Sequence, residues 1–296
     1  MPSTPEGALC MVSALLSTSF LLSFLFRQAG PASKKSVMGG LALVASKFTA
    51  ASAAAIPRQR LANVFKSCTV PNTVALTFDD GPYIWHKGIV DMLDAAGAKG
   101  TFFMNGYNYG CVYSNETVDQ MEYSYSRGHQ IASHTWGHAH LSDILDEAQM
   151  ERQFELSDTA FSKILGVVPT FMRPPYGEYS DLVLKVAADH NQNVIIWDVD
   201  SGDSVGATAE QSKQTYLAAV DSKASNVLTL NHETHQSSAE DVLPFAIKTF
   251  QAKGYRLVTV AECLGYKARD MYQRKTKPAV RDDTWTCDGT PGPGQS

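Results

Sequence analysis

Two aspartates, Asp79 and Asp80, stand side by side in VALTFDDGPY, where a run of strand-forming residues ends and Gly81-Pro82 turns the chain. Like charges this close raise each other's pKa unless a cation or a hydrogen-bond donor takes one of them. The pair is therefore either two solvated turn residues or one edge of a site that holds something positive. Histidines offer the complement. SHTWGH places His134 and His138 four residues apart, and on a helical turn two imidazoles at that spacing point the same way. With a carboxylate from the aspartate pair they form a His₂Asp set with one position left open, the arrangement of a catalytic zinc rather than a closed structural one. The plainer alternative is a pair of surface histidines near a turn, and the adjacent aspartates favour the metal.

The elements that must position these residues are legible as a rhythm. Short apolar runs recur at 73–78, 100–105, 129–134, 169–174, 193–200, 226–232 and 255–260. Segments with helical periodicity lie between most of them, and several end in Gly97, Gly128, Gly166, Asn191 or Gly254, the residue types expected just past a helix. Near-continuous apolar strands alternating with helices imply a parallel sheet buried on both faces. The number of strands leaves a doubly wound open sheet or an incomplete barrel. In either architecture the functional face is the carboxyl end of the strands.

The polar residues fall at that edge. Asp79 and Asp80 end the first run, Asn105 the second and His134 the third. Arg173 in RPPYG ends the fourth, Asp200 and Asp203 in DVDSGDS the fifth, and His232 in LNHE the sixth. One shared site explains this placement better than chance. Other residues read as structural: His129 begins a strand, His86 and His190 belong to helices, and Trp197 and Phe171 belong to the core. His140 lies just past the histidine pair and is set aside as a ligand. HETH at 232–235 is one residue short of the H-E-x-x-H zinc motif and is rejected as one.

A net charge of −5 argues against nucleic-acid binding, and 44% hydrophobic with 19% charged residues is ordinary for a globular chain. The first 60 residues differ. Apolar runs at 11–26 and 37–55, the second behind Lys34-Lys35 and ending in small residues, have the layout of a cleaved secretory signal, with a single N-terminal anchor as the alternative. Neither run suits a stable membrane span, which needs ~20 apolar residues. Beyond Cys10, four cysteines remain (Cys68, Cys111, Cys263 and Cys287), an even set that permits three pairings in a secreted chain. NET at 115–117 makes Asn115 an N-glycosylation acceptor. CDGTPGPGQS at 287–296 is Gly/Pro-rich and reads as a disordered tail.

TFDDGP, SHTWGH, RPPYG, DSGDS and LNH, in this order at these strand ends, resemble the polysaccharide deacetylases of carbohydrate esterase family 4, the NodB-homology domain. The resemblance covers about residues 68–266. It implies a distorted, incomplete (β/α)7 barrel: a catalytic domain over 61–270, a signal or propeptide region over 1–60 that is cleaved or disordered, and an extension over 271–296. The implied activity is metal-dependent hydrolysis of acetyl groups on sugars. Asp80, His134 and His138 would bind one divalent ion, zinc with cobalt as an alternative. Asp79 would be the general base, oriented and held ionised by Arg173, and His232 the general acid, oriented and kept protonated by Asp203. The Tyr176 backbone N–H would stabilise the oxyanion and Leu230 would line the acetyl pocket, with Tyr176, Pro175 and Asp200 meeting the sugar. Ser204 stands where the family commonly has an aromatic residue, which leaves that wall of the site open.

The segment from Cys111 to His138, LVTVAECLG and the CDGTPGP stretch are most similar to secreted fungal chitin deacetylases. That resemblance implies disulfides Cys68–Cys263 and Cys111–Cys287. It also implies a chitin or chitooligosaccharide substrate, a monomer and an extracellular, cell-wall-associated location. Peptidoglycan and acetylxylan are alternative substrates, and a chitin-binding relative without turnover is the alternative outside the enzyme class.

Overall fold

The computed structural model describes residues 60–296. The signal or propeptide region read over 1–60 lies, except for Arg60, outside the described residues. Twelve short strands are present among those described: β1 (Val64–Phe65), β2 (Thr73–Ala75), β3 (Thr77–Gly81), β4 (Thr101–Met104), β5 (Gln130–Ser133), β6 (Val167–Pro169), β7 (Phe171–Met172), β8 (Asn193–Ile195), β9 (Val199–Asp200), β10 (Asn226–Leu230), β11 (Arg256–Leu257) and β12 (Tyr272–Lys275). The helices are α1 (His86–Ala95), α2 (Asn115–Ser126), α3 (Glu147–Leu165), α4 (Asp181–Asp189), α5 (Ala209–Asp221), α6 (Leu243–Ala252) and the single turn α7 (Val260–Cys263).

Six parallel strands pair in the order β1-β8-β7-β5-β4-β3, and four more in the order β11-β2-β10-β9. The two sheets share chain: β2 runs into β3 across Leu76, and β8 runs towards β9. They therefore curve around one interior, an open and distorted (β/α) barrel. Its filling takes one residue from each of six strands, namely Ala75, Phe103, Ala132, Phe171, Ile195 and Leu228. The successive strand side chains between them face outward and meet the helices, as period-two alternation requires. On that outer side Leu76, Phe78, Phe102, Ile131 and Val227 pack with Ile89, Leu93, Met121, Phe161 and Phe250. Burial of each such side chain contributes roughly 1.5–3 kcal/mol.

Helix ends follow local chemistry. Ser114, Asp146, Ser180 and Thr208 cap α2 to α5 by accepting backbone N–H groups, and Thr208 forms a capping box with Gln211. Gly166 closes α3 at φ 70° and Asn191 follows α4 at φ 52°, left-handed values that suit these two residue types.

Three sequence expectations change. The runs at 73–78 and 193–200 each divide into two strands, because each passes from one sheet to the other. The run at 255–260 ends as strand at Leu257, since Thr259 accepts the Glu262 N–H and starts α7. The tail at 287–296 is ordered, with residues 290–295 packed on the turn after β5; in the extension before it, β12 pairs antiparallel with β6. Disulfides join Cys68 to Cys263 and Cys111 to Cys287. Among the described residues no helix is long and apolar enough to cross a membrane.

Candidate active site and metal centre

A cavity of about 400 Å³ opens at the carboxyl ends of the strands, lined by Asp79, Asp80, His134, His138, Tyr176, Leu230 and His232, with Trp197, Asp200 and Ser204. Strands leaving one face of a barrel aim their last side chains at a common centre. The two aspartates reach it by a local irregularity. The β3–β4 register shifts between Asp79 and Gly81, and Asp80 takes φ 73°. This bulge leaves Asp80 as the extra residue, so the alternation that would send neighbouring side chains to opposite faces is broken. The break lies at Asp80 itself rather than at the Gly81-Pro82 turn. Gly81 must be glycine here, because an added Cβ would lie 2.0 Å from the Glu233 carboxylate.

Asp80, His134 and His138 each offer one ligand atom, and the three atoms lie within 4.8 Å of one another. Asp80 Oδ1 is 3.1 Å from His138 Nε2 and 3.5 Å from His134 Nε2. It is buried with no hydrogen-bond partner, which is costly for a carboxylate oxygen unless something else satisfies it. His134 Nδ1 donates to the Arg173 carbonyl at 2.7 Å, which leaves Nε2 as the lone pair facing the cluster. Burial pushes the Asp80 carboxyl up, and the His134 and His138 rings more than reverse this, holding it far below the ordinary range. One oxygen and two imidazole nitrogens converging in this way fit a divalent ion such as zinc. The 134–138 segment is a turn rather than a helix, with left-handed φ at Thr135 (67°) and His138 (54°). That turn brings its two rings together edge to face, with centroids 5.0 Å apart.

Asp79 is buried and paired with Arg173 Nη1 at 2.7 Å. Arg173 is fully buried and donates also to Thr77 Oγ1 and to the carbonyls of Ile195, Ile196 and Thr229. Burial lowers its pKa, and the Asp79 carboxylate opposes that. Across the cavity His232 Nδ1 donates to Asp203 Oδ1 at 2.7 Å. Asp203 Oδ2 accepts the His232 N–H at 2.8 Å and the Ser238 hydroxyl at 2.5 Å. Burial lowers the His232 pKa, but the Asp203 hydrogen bond and charge, with Asp79 and Asp80 behind them, raise it to about 9. Burial likewise raises Asp203, and His232 with Ser238 lowers it further than that. The two ends of the cavity thus hold a carboxylate beside a cation and an imidazole beside an anion.

Other expected residues sort as follows. Leu230 is buried at the cavity wall, and Asp200 and Tyr176 border it from exposed positions. Pro175 is buried, and Pro174 lines the cavity instead. Trp197, expected in the core, stands at the cavity wall against Gly177, where an added Cβ would meet its ring at 2.8 Å. Phe171 is in the core. Ser204 is exposed and borders the rim beside Val205, itself 84% exposed. His140 stays outside the ligand cluster, its ring stacked 3.7 Å from Tyr176. His129 is buried with its pKa lowered to about 4, chiefly by burial.

One pair was not legible in the sequence. Glu233 and His86 have fully buried side chains 2.9 Å apart, and Glu233 also accepts the Tyr83 N–H. Glu233 follows the candidate acid His232, so this contact locks the loop after β10 to the turn after β3. Adjacency to His232 was the available signal, and the helical setting of His86 hid it.

A family model for polysaccharide deacetylases matches residues 66–195. A chitin deacetylase of Pestalotiopsis is 38% identical over 71% of this chain and 70% of its own length. The chain belongs to the polysaccharide deacetylase family. A probable peptidoglycan-N-acetylglucosamine deacetylase of Arthroderma benhamiae is 36% identical over 77% of this chain and 52% of its own. Among solved structures, the chitin deacetylase of Colletotrichum lindemuthianum superposes with a TM-score of 0.69 at 27% identity, covering 73% of this chain and 98% of that one.

Proposed function

We propose that this polysaccharide deacetylase hydrolyses the N-acetyl group of N-acetylglucosamine units in chitin or chitooligosaccharides, yielding acetate and a free amine. The observation that carries the reading is the meeting, in one cavity, of the Asp80-His134-His138 cluster with an Arg-paired carboxylate and an Asp-paired imidazole. Asp80, His134 and His138 would hold a divalent ion, zinc in this reading with cobalt as the alternative, which would supply Lewis acidity towards the carbonyl and lower the pKa of water. Asp79, fixed by Arg173, accepts the proton of the attacking water. His232, kept protonated by Asp203, delivers a proton to the leaving nitrogen, without which an amine is a poor leaving group. The Tyr176 N–H donates to the developing oxyanion, a contribution of about 3 kcal/mol. Leu230 bounds the acetyl methyl, and Tyr176, Asp200 and the Pro174-Pro175 turn border the sugar. Two disulfides support an extracellular setting, and Asn115, exposed at the start of α2, suits a glycan. We take the working unit as a monomer with a catalytic domain over 61–270 extended by 271–296.

Acetate release from defined chitin oligomers tests the reaction. Release is expected to stop on chelation and to return with zinc. Oligomer binding without metal-dependent acetate release would indicate a chitin-binding relative and defeat the reading. Peptidoglycan is the second substrate to assay, given the Arthroderma relative.

The acid assignment has its own test in the pH profile. A general acid must be protonated, so kcat/KM falls as pH rises through its pKa. Burial lowers the His232 pKa, but Asp203, with smaller contributions from Asp79 and Asp80, raises it above its ordinary 6.5 to about 9. Asp203→Asn removes that charge, and the alkaline limb should move towards 6.5 while kcat falls. An unmoved alkaline limb would assign it to another group.

A further inference from the structure

The turn that carries His138 is held from two sides. From within the barrel, the Thr135 and Trp136 carbonyls accept N–H groups of Gly106 (3.2 Å) and Tyr107 (2.7 Å). The Trp136 ring covers Gly106 so closely that an added Cβ would lie 2.0 Å from it. From outside, residues 290–295 complete the clamp. Trp136 Nε1 donates to the Pro291 carbonyl at 3.0 Å and to Thr290 Oγ1 at 3.1 Å. The Gly294 N–H donates to the Gly137 carbonyl at 2.5 Å. Gln153 of α3 bridges the two segments, accepting the Gly137 N–H at 2.9 Å and donating to the Gln295 carbonyl at 2.9 Å. At Gly137 the fit is close enough that a Cβ would lie 2.8 Å from the carbonyl oxygens of both Gly292 and Gln295.

His134 has a hydrogen bond on its own ring, to the Arg173 carbonyl. Among the described residues no hydrogen bond orients the His138 ring. Its ring packs edge-on against those of His134 (5.0 Å) and Tyr176 (4.8 Å), on a backbone that takes the strained left-handed φ of 54°. A ligand ring that is packed by its neighbours but has no hydrogen-bonded anchor of its own depends on the turn beneath it. We infer that residues 290–295, anchored by the Cys111–Cys287 disulfide and by Gln153, are a positioning strap that sets His138 for metal binding. The inference rests on the Asp80-His134-His138 ligand reading and extends it to a segment far away in sequence. Supporting partners of metal ligands typically change affinity tenfold to a hundredfold when removed.

The test compares zinc affinity, by competition with a chromogenic chelator, in wild type, a chain lacking residues 289–296, and Trp136→Phe. The phenylalanine removes the ring's donor to the strap together with part of the indole packed on Gly106, so an unchanged zinc affinity in it still counts against the strap if the shortened chain fails to fold. The visible spectrum of the cobalt-loaded forms reports ligand geometry independently of turnover. The expected result is a tenfold or greater loss of zinc affinity in the shortened chain, a smaller loss in Trp136→Phe, and an altered cobalt spectrum in both. Wild-type affinity and spectrum in a folded shortened chain, or in Trp136→Phe should the shortened chain not fold, overturn the strap alone. A wild-type chain that takes up neither ion overturns the ligand assignment and the strap together.

Discussion

Asp79→Asn is expected to lower kcat for acetate release about 10²–10⁴-fold, the range typical of a lost general base, while zinc still binds. Asparagine matches the shape of aspartate and keeps an oxygen for Arg173 Nη1, now 2.7 Å away, but it cannot accept the proton of an attacking water at neutral pH. The ligand cluster is built from Asp80, not Asp79, so the metal titration should be nearly unchanged. Asp80→Asn should do the reverse and weaken the metal first. The two aspartates are neighbours in sequence, and this pair of experiments separates their roles. Full activity in Asp79→Asn would remove it as base, and loss of zinc there would exchange the two assignments.

Arg173→Leu carries the largest expected cost in stability. The guanidinium is fully buried and gives its donors to Asp79, Thr77 and three backbone carbonyls of β8, its following residue and β10. Removing one partner of a buried ion pair leaves the other uncompensated and costs about 3–5 kcal/mol. For a domain of this size that corresponds to a fall in Tm of roughly 6–20 °C. Arg173→Leu combined with Asp79→Asn should recover part of the loss, because the stranded charge is then gone. Thermal and denaturant melts measure both. A single variant that melts like wild type would mean that the pair does not organise the barrel interior.

How much of this was readable beforehand depends on the range of the interaction. The strand rhythm and the helix ends at Gly166 and Asn191 are local, and local chemistry sets them. Asp79, Arg173, Asp203 and His232 could be placed at one edge because a parallel sheet presents all its strand ends on the same face. The Cys111–Cys287 pair came from resemblance, since four cysteines allow three pairings and spacing chooses none of them. Trp197 was misplaced because an aromatic residue in an apolar run is core by default. The strand breaks after Ile195, and Trp197 lies beyond it at the cavity wall.

The tail shows the limit most plainly. CDGTPGPGQS has the composition of a flexible segment, and composition reports only what a stretch can bury by itself. Residues 290–295 are ordered by backbone contacts to Trp136 and Gly137 and by a disulfide that spans 176 residues. Apart from Cys287 and the Thr290 hydroxyl, these contacts are made by the tail's backbone and do not depend on an apolar side-chain pattern. Sequence alone determined the alternation of strands and helices, the chemical inventory of the site and the edge at which it collects, because each follows from residue type and short-range periodicity. Tertiary structure decided that a bulge at Asp80 turns two adjacent carboxylates into one site, that Glu233 and His86 lock its loops, and that a distant segment clamps the turn beneath His138. Those contacts join residues scores to hundreds of positions apart, and only the folded chain brings them within hydrogen-bonding range.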